Sequence, residues 1–454
     1  MNKEPTTTPR ASTRPPRLRP RPALRLLAAD LHHHLGEPVR VAGWVHRRRQ
    51  LKSVSFLILR DRTGLAQVTL TGPAAQALDA FPEETVVQAD GMAISNQQAP
   101  GGVEIHEATL TALSGPASPP PFDLYRPGVP AGLPVILDHA GVALRHPVLR
   151  APFEVAAAAV AGFRSCLDDA GFTEIHTPKI VATATESGAN VFGIDYFGRT
   201  AFLAQSPQFY KQAMVGVFER VYEVGPVFRA EPHDTARHLA QYTSLDAELG
   251  FINDHRDVMD ILTEVLTGMI ATVSDRASQA VERLGITLPP VPDAIPEIDF
   301  RDAQALIAEG TGAEPGSEPD LAPADERWLS HWALREHASA FLFVTGYPTI
   351  KRPFYTHRDP DRPERTRSFD LLFNGLELVT GGQRLHRHDD YLSALSARGQ
   401  NPAHYAGYLE IFAHGMPPHG GFAIGLERFV ARLTGADNIR STTLFPRDRH
   451  RLTP

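Results

Sequence analysis

The pattern of apolar and polar positions changes several times along the 454-residue chain and divides it into regions. Residues 1–37 are rich in proline and arginine and show no apolar period, so we expect a disordered extension there. Over 38–113, five short runs alternate apolar and polar residues, which is typical of a β-barrel of the OB type. Residues 114–140 are rich in proline and predict a linker.

The remainder, 141–454, combines helical and strand-like patterns and predicts an α+β domain. Apolar residues at helical spacing occupy 150–170, before Gly171, and occur again after Asp254. Hairpin signals join the strand-like runs, so we expect an antiparallel sheet flanked by helices rather than a doubly wound sheet. Segment 285–330 is rich in Pro, Glu and Asp and predicts a peripheral insertion.

Composition excludes some functional classes. The net charge of −7 does not suggest a polyanion partner, although residues 1–25 carry seven cations against one acid. This extension is either a solvated leader or an electrostatic arm for nucleic acid. The one cysteine, Cys166, excludes an intramolecular disulfide and a Cys-rich zinc site. Since the sequence has neither an apolar stretch of membrane length nor a signal-peptide core, we expect a cytoplasmic protein without a membrane partner.

A polar loop between two strand-like segments carries the first candidate site. Arg229 and Glu231 lie at its base in FRAEPHDTARHLAQY, and Arg237 and His238 lie within it. A guanidinium on a rigid strand is a suitable clamp for phosphate, because its donors are fixed and it keeps its charge. Taken alone, an Arg-x-Glu pair is more often a structural ion pair.

Two further segments carry related chemistry. In GGFAIGLER a glycine-bearing strand runs into a helix, where Arg428 can stack on a ring or bind phosphate. Asn374-Gly375 predicts a two-residue hairpin that places Asp370 and Glu377 on one face. Two carboxylates at this spacing can share Mg²⁺, which suits a nucleoside triphosphate. A solvated acidic face is the alternative.

Together these motifs resemble class II aminoacyl-tRNA synthetases, and specifically the archaeal and eukaryotic type of aspartyl-tRNA synthetase. FRAE…RHL is similar to motif 2, GGFAIGLER to motif 3, and GFTEIHTPKI, with Pro178, to the dimer-forming motif 1. FLAQSPQFYKQ, LVTGGQRLHRHDD and LFPRDRHRLTP are similar to the same branch. The resemblance covers 37–454 and implies ATP-dependent activation of L-aspartate and its transfer to the 3′ end of tRNA(Asp).

The resemblance implies a nucleotide site built from these motifs. Arg229 would hold the α-phosphate of ATP, and Arg428 would stack on adenine. The full set expected to bind ATP is Arg229, Glu231, Arg237, His238, Leu239, Tyr242, Glu377, Gly425 and Arg428. Four of these are expected to be catalytic: Arg229, Glu231, His238 and Arg428. Mg²⁺ would be held by Asp370, Glu377 and Thr380.

The choice of amino acid depends on two cations. Only five of the 45 cations are lysines, and one of them, Lys211, falls in QSPQFYKQ. The resemblance implies that Lys211 and Arg384 hold the side-chain carboxylate of aspartate, whereas asparagine would leave two cations facing a neutral amide. The expected aspartate-binding set is Glu186, Gln208, Lys211, Arg229, Thr380 and Arg384, with Glu186 and Gln208 receiving the α-ammonium group.

The barrel resembles the anticodon-binding domain of the same family. Phe56 would stack on an anticodon base, while Gln67 and Glu104 would read base edges. Family members confined to one tRNA tend to carry Trp at the position of His46. Histidine therefore implies the relaxed type, which charges both tRNA(Asp) and tRNA(Asn). Pro178 in motif 1 implies a homodimer.

Departures from the family pattern keep alternatives open. Ala423 replaces the usual Gly in motif 3, where its methyl group could raise KM for ATP, and Gln241 replaces Glu in motif 2. The alternatives are an asparagine–tRNA ligase and a paralogue that uses aspartyl-adenylate or charged tRNA in biosynthesis or resistance. A non-catalytic tRNA-binding paralogue is disfavoured, because no catalytic side chain is missing.

Overall fold

The computed structural model describes residues 24–183, 190–312 and 318–454. The chain forms two compact units, one ending at Pro130 and the other beginning at Ala131, and each is considered by itself. Each unit contains its own cluster of buried apolar side chains. Within the described ranges, no helix has both the length and the apolar character needed to cross a membrane.

The first unit is a closed five-stranded barrel, as its alternating pattern predicts. Val45, Leu57 and Val68 are fully buried because alternate residues of each strand point inward. Its elements are β1 (Pro38–Gln50), β2 (Ser55–Arg60), β3 (Leu65–Leu70), α1 (Gly72–Gln76), β4 (Val86–Ser95) and β5 (Val103–Ala112). The strands follow the order β1–β2–β3–β5–β4 around the barrel.

The expectation of a disordered extension to residue 37 is wrong for residues 24–37. A 3-10 helix spans Ala28–His34, and Leu31 is only 2% exposed within the barrel core. Leu26 also pairs with Val41 of β1. The proline-rich composition conceals this short segment, which is held by buried Leu31 and by hydrogen bonds such as Leu26 N to Arg40 O at 2.8 Å and Ala28 N to Asp61 Oδ2 at 2.7 Å. Residues 1–23 lie outside the described ranges.

The second unit is built on an eight-stranded mixed sheet, in the order β12–β13–β14–β15–β16–β11–β10–β6. The inner pairings are antiparallel, as expected, and the outermost pairs β12/β13 and β6/β10 are parallel. The strands of this unit are β6 (Thr173–Glu174), β7 (Ile180–Val181), β8 (Gly193–Tyr196), β9 (Arg199–Leu203), β10 (Arg220–Phe228), β11 (Gln241–Gly250), β12 (Glu297–Asp299), β13 (Phe341–Thr345), β14 (Ser368–Phe373), β15 (Leu376–Gln383) and β16 (His419–Gly425). Strands β7, β9 and β8 form a separate small sheet.

Helices cover this sheet. They are α2 (Leu133–Asp138), α3 (Ala140–Ala143), α4 (Pro147–Asp169), α5 (Gln208–Phe218), α6 (His255–Arg276), α7 (Ser278–Leu284), α8 (Phe300–Thr311), α9 (Pro323–His337), α10 (His388–Ala397), α11 (Ala406–Ala413) and α12 (Leu426–Thr434). The α6 helix begins after Asp254, whose side chain accepts a hydrogen bond from Arg256 N at 2.7 Å. Helices α4 and α6 approach closely at Gly162, where a Cβ atom would lie 2.8 Å from Gly268 O.

Two expected boundaries need correction. The proline-rich linker does not extend to residue 140, because α2 already belongs to the second unit. Segment 285–330 is not a peripheral insertion: it supplies edge strand β12, helix α8 and the start of α9. Phe300 and Leu329 pack in one cluster with Leu342 and Leu372 of the sheet. Prolines and charges surround a few well-spaced apolar residues here, so composition alone misjudges the segment.

Candidate active site

The loop after β10, strands β11, β15 and β16, and the start of α12 enclose a cavity, here called the nucleotide cavity. All nine residues expected to bind ATP line it: Arg229, Glu231, Arg237, His238, Leu239, Tyr242, Glu377, Gly425 and Arg428. The contributing segments are distant in sequence. They meet because β16 pairs with both β11 and β15.

Arg229 lies near an acidic neighbour at the mouth of the loop. Its Nη1 atom lies 3.7 Å from Glu231 Oε1, which is longer than a hydrogen bond. Its guanidinium lies 5.7 Å from the centre of the Tyr242 ring, and 41% of the side chain is exposed. Arg428, in the first turn of α12, donates to the backbone oxygen of Glu377 at 3.3 Å. Both residues line the nucleotide cavity, where a phosphate group or an aromatic ring can bind them.

The loop also brings Arg237 and His238 to the cavity. Arg237 Nη1 is 3.4 Å from Glu326 Oε2, and the same carboxylate oxygen accepts a hydrogen bond from Glu377 N at 3.2 Å. Burial lowers the pKa of His238, although Glu231 acts in the opposite direction. Burial also raises the pKa of Glu326. Glu326 was missed in the sequence because it belongs to the segment that was expected to be peripheral.

The hairpin between β14 and β15 brings the two expected metal ligands together. Asn374 and Gly375 have φ values of 47° and 82°, as a two-residue turn of this type requires. Asp370 lies opposite Thr380, and Leu372 lies opposite Glu377. Asp370 and Glu377 therefore share one face of the hairpin, as expected.

A bulge in β15 decides the position of Thr380. The pairing register shifts at Leu371/Leu372, so that Leu378 is the additional residue of β15. In a regular strand, Glu377 and Thr380 would point to opposite faces. Because of the bulge they share a face, and Thr380 Oγ1 donates to Glu377 Oε1 at 3.1 Å.

The acidic pair fits a divalent cation. Asp370 Oδ1 is buried and has no hydrogen-bond partner among the described residues, and its Oδ2 atom lies 2.8 Å from Arg352. Burial and the neighbouring Asp370 raise the pKa of Glu377 to about 7. In the described ranges, no group of three or more His, Cys, Asp or Glu residues could hold a metal. Two protein carboxylates plus oxygens from phosphate and water suit Mg²⁺.

A second cavity, here called the amino-acid cavity, adjoins the first. The two share the side chains of Arg229, Tyr242, Ser244, Glu377, Thr380 and Ala423. Five of the six residues expected to bind aspartate line it: Gln208, Lys211, Arg229, Thr380 and Arg384. The sixth, Glu186, lies outside the described residues.

Lys211 and Arg384 are already paired with acids on β11. Lys211 Nζ lies 3.1 Å from Asp246 Oδ1 and 3.2 Å from Glu248 Oε2. Arg384 Nε donates to Glu248 Oε1 at 2.9 Å. These four side chains, here called the charge quartet, are all buried and carry no net formal charge. The sequence predicts Lys211 and Arg384 as two cations that face the substrate, and the structure adds the two acids that balance their charge.

Glu248 is the centre of the charge quartet. Burial would raise the pKa of Glu248, but Arg384 and Lys211 outweigh it and lower the value. A Cβ atom at Gly421 would lie 2.1 Å from Glu248 Oε2, so only glycine fits there. Asp246 and Glu248 were missed as site residues, although their alternation with Leu245 and Ala247 places them on the polar face of β11.

Three of the residues expected to read the anticodon share one face of the barrel. Ile58 of β2, next but one to Phe56, pairs with Gln67 of β3, and Gln67 pairs with Glu104 of β5. Gln67 Nε2 donates to Glu104 Oε2 at 2.8 Å. Burial would raise the pKa of Glu104, but hydrogen bonds from His106 and Gln67, among others, lower it to about 2. His106 was not anticipated.

His46 and Pro178 have separate environments. His46 lies at an irregularity in β1, where its ring centre is 5.0 Å from that of Tyr125 and its Nδ1 is 3.3 Å from Arg60 Nη1. Pro178 is exposed between Thr177 and Lys179, which both contact Glu223. Neither environment by itself assigns a partner.

Comparison with known families identifies the class of protein. The family described as "tRNA synthetases class II (D, K and N)" matches residues 134–449, and "OB-fold nucleic acid binding domain" matches 39–113. The chain belongs to the class II aminoacyl-tRNA synthetases, which confirms the expected family, its ligase class and the barrel-plus-synthetase fold.

Several individual proteins of this family are similar to the chain over nearly its whole length. Enzymes named Aspartate--tRNA(Asp/Asn) ligase from Thermus thermophilus and Deinococcus radiodurans are 46% and 44% identical, each over 95% of this chain and over 100% and 99% of their own lengths. A Picrophilus torridus protein named Aspartate--tRNA(Asp) ligase is 38% identical over 94% of this chain and 98% of its own. The asparaginyl-tRNA synthetase from Pyrococcus horikoshii, complexed with asparaginyl-adenylate, superposes with a TM-score of 0.86 at 29% identity, covering 93% of this chain and 97% of its own.

Proposed function

We propose that the chain is an aspartate–tRNA ligase that activates L-aspartate with ATP and transfers it to the 3′ end of tRNA(Asp) and of tRNA(Asn) in the cytoplasm. The observation that carries this proposal is the junction of the two cavities at Arg229. The nucleotide residues line one side of this junction, and Lys211 and Arg384 line the other. The relatives named Aspartate--tRNA(Asp/Asn) ligase support the same substrates.

We propose an in-line transfer between the two cavities. The α-carboxylate of aspartate attacks the α-phosphate of ATP, and the bond to pyrophosphate breaks. Arg229 lines both cavities and stabilises the charge on the phosphoryl oxygens. Asp370 and Glu377 would hold Mg²⁺, which neutralises phosphate charge when bound. A terminal ribose hydroxyl of tRNA then attacks the carbonyl carbon of aspartyl-adenylate, and AMP leaves.

Because the charge quartet is neutral overall, its net charge does not select between aspartate and asparagine. The hydrogen-bond donors that the quartet offers do favour aspartate. Lys211 and Arg384 offer only hydrogen-bond donors. A carboxylate accepts from both, whereas the NH₂ group of asparagine would oppose one of them and leave its donors unsatisfied. The alternative, an asparagine–tRNA ligase, is favoured by the presence of Asp246 and Glu248 as nearby acceptors.

Pyrophosphate exchange with each amino acid separates these two functions. We expect aspartate to support exchange at least about 100-fold better than asparagine, because buried polar groups left unpaired cost several kcal/mol. Exchange with asparagine alone would contradict the proposal. Exchange with aspartate but no charging of any tRNA would instead favour the paralogue that uses aspartyl-adenylate elsewhere.

The choice of tRNA is tested by charging purified tRNA(Asp) and tRNA(Asn) transcripts with aspartate. We expect both to be charged, and we expect His46→Trp to lose tRNA(Asn) while keeping tRNA(Asp). If the unaltered chain charges tRNA(Asp) alone, the prediction that it accepts both tRNAs is wrong. We also propose a homodimer formed through motif 1 around Pro178, which light scattering tests directly.

A further inference from the structure

We infer that Arg440 and Asp448 are positioning residues for the nucleotide loop, defined here as residues 231–240, which carries Arg237 and His238. They act on the loop through Thr235 rather than through contact with substrate. This inference rests on the proposed function, because the loop matters for catalysis only if it binds the phosphates of ATP.

Arg440 connects three segments of the second unit. The residue is 9% exposed, and all three guanidinium nitrogens donate: Nε to Asp448 Oδ2 at 2.6 Å, Nη2 to Asp234 Oδ1 at 2.5 Å, and Nη1 to Thr235 O at 3.1 Å. Asp448 is buried as well and also accepts from Arg451 N at 2.7 Å. A planar guanidinium with fixed donors in this arrangement holds the loop backbone in one conformation.

Thr235 transmits this constraint to the cavity. Its Oγ1 atom lies 2.6 Å from His238 Nδ1, and it accepts a hydrogen bond from Arg237 N at 3.2 Å. Arg440 therefore fixes the backbone of the residue whose hydroxyl orients His238. A continuous path runs from Asp448 through Arg440 and Thr235 to a side chain that lines the nucleotide cavity.

Backbone contacts reinforce the same connection. Ile439 N donates to Ala236 O at 2.9 Å, and Ala240 N donates to Arg447 O at 2.7 Å. Arg449 Nη1 donates to Pro232 O at 3.0 Å. The loop is thus held along its length by residues 439–449. A loop that is ordered before the nucleotide arrives avoids that ordering cost during binding, which increases affinity for ATP.

The test separates positioning from general stability. Thr235→Val removes the hydroxyl at similar volume, and Arg440→Lys keeps the charge but loses the fork. We expect each of these two variants to raise KM for ATP by about tenfold in aspartate-dependent pyrophosphate exchange, because one hydrogen bond is lost. KM for aspartate should stay unchanged. Thr235→Ser retains a hydroxyl and should restore most of the affinity.

Arg40→Lys is the matched control. Arg40 Nε donates to Asp90 Oδ1 at 2.6 Å within the barrel, so the same type of substitution outside the second unit should leave both KM values unchanged. An unchanged KM for ATP in Thr235→Val, or an equal rise of both KM values with a lower Tm, would overturn the inference. If the unaltered chain shows no aspartate-dependent exchange, the proposed function fails, and calorimetric titration of ATP into the same variants still tests the loop.

Discussion

The two adjoining cavities hold their cations in opposite ways. In the nucleotide cavity, Arg229 lies 3.7 Å from Glu231 and its side chain is 41% exposed. In the amino-acid cavity, Lys211 and Arg384 are buried and lie 3.2 and 2.9 Å from Glu248. The Arg229 side chain is thus partly exposed, whereas Lys211 and Arg384 are fixed within a balanced buried cluster.

This difference matches what each ligand requires. A nucleoside triphosphate brings several negative charges, so a partly exposed cation that the phosphates can reach suits it. Selection of one amino acid requires donors that cannot adapt to a competitor, and donors fixed by buried ion pairs meet that requirement. The comparison predicts that substitutions in the first cavity impair catalysis with little loss of stability, whereas substitutions in the second affect both.

Arg229→Ala should produce the largest effect. Loss of a group that stabilises phosphoryl charge typically lowers the rate by about 10²–10³-fold, and we expect at least that loss in pyrophosphate exchange. The Tm should stay close to that of the unaltered chain, because Arg229 is partly exposed and exposed ion pairs contribute little to stability. Near-normal exchange would remove Arg229 from the proposed mechanism, and a large fall in Tm would contradict the comparison.

Glu248→Gln should destabilise the fold. Neutralising one member of a buried ion pair leaves uncompensated charge, so we expect the free energy of unfolding to fall by about 3 kcal/mol. Urea unfolding measures this loss. Glu231→Gln is the matched substitution in the nucleotide cavity, and we expect it to change the free energy of unfolding by less than about 0.5 kcal/mol. Equal losses in the two variants would mean that the cavities do not differ as described.

His419 gives the stability of the second unit a pH dependence. It is fully buried, its Nε2 accepts from Gln212 at 2.9 Å, and burial lowers its pKa to about 4. The folded state therefore keeps His419 neutral while the unfolded chain takes up a proton below about pH 6.5. Stability should fall as pH decreases from about 6.5 towards 4, by an amount on the order of 2–3 kcal/mol.

His419→Gln checks the assignment of this pH dependence. The difference in free energy of unfolding between the unaltered chain and the variant should shrink as pH falls through that window, because the variant lacks the titrating group. Other histidines with lowered pKa values, such as His357 and His386, remain in both proteins and cancel in the difference. A difference that is independent of pH would contradict a buried neutral His419.

Ala423→Gly should produce the smallest change. Ala423 lines both cavities and lies opposite Thr380 of β15. If its methyl group crowds the nucleotide, removing it should lower KM for ATP by about threefold, or roughly 0.6 kcal/mol. An unchanged or higher KM would show that the cavity accommodates the methyl group.

Local patterns in the sequence predicted much of the fold, and the family resemblance supplied most residues of the nucleotide cavity. Alternation predicted the barrel, and the Asn374-Gly375 turn predicted that Asp370 and Glu377 share a face. These predictions succeed because strand period and turn geometry depend on neighbouring residues. The prediction for residues 285–330 was wrong, because it used composition, and composition does not reveal that Glu326 contacts Arg237 and Glu377 of the site.

What the sequence alone determined is the barrel, the α+β class of the second unit and, through its resemblance to a family, nine of the side chains that line the nucleotide cavity. Only the tertiary structure decided that Asp246 and Glu248 neutralise Lys211 and Arg384, that a bulge turns Thr380 toward Glu377, and that Arg440 holds the loop. The physical reason is the sequence separation over which each interaction acts. Secondary-structure signals arise within a few residues, whereas ion pairs between distant segments depend on sheet register and chain path, which no local pattern encodes.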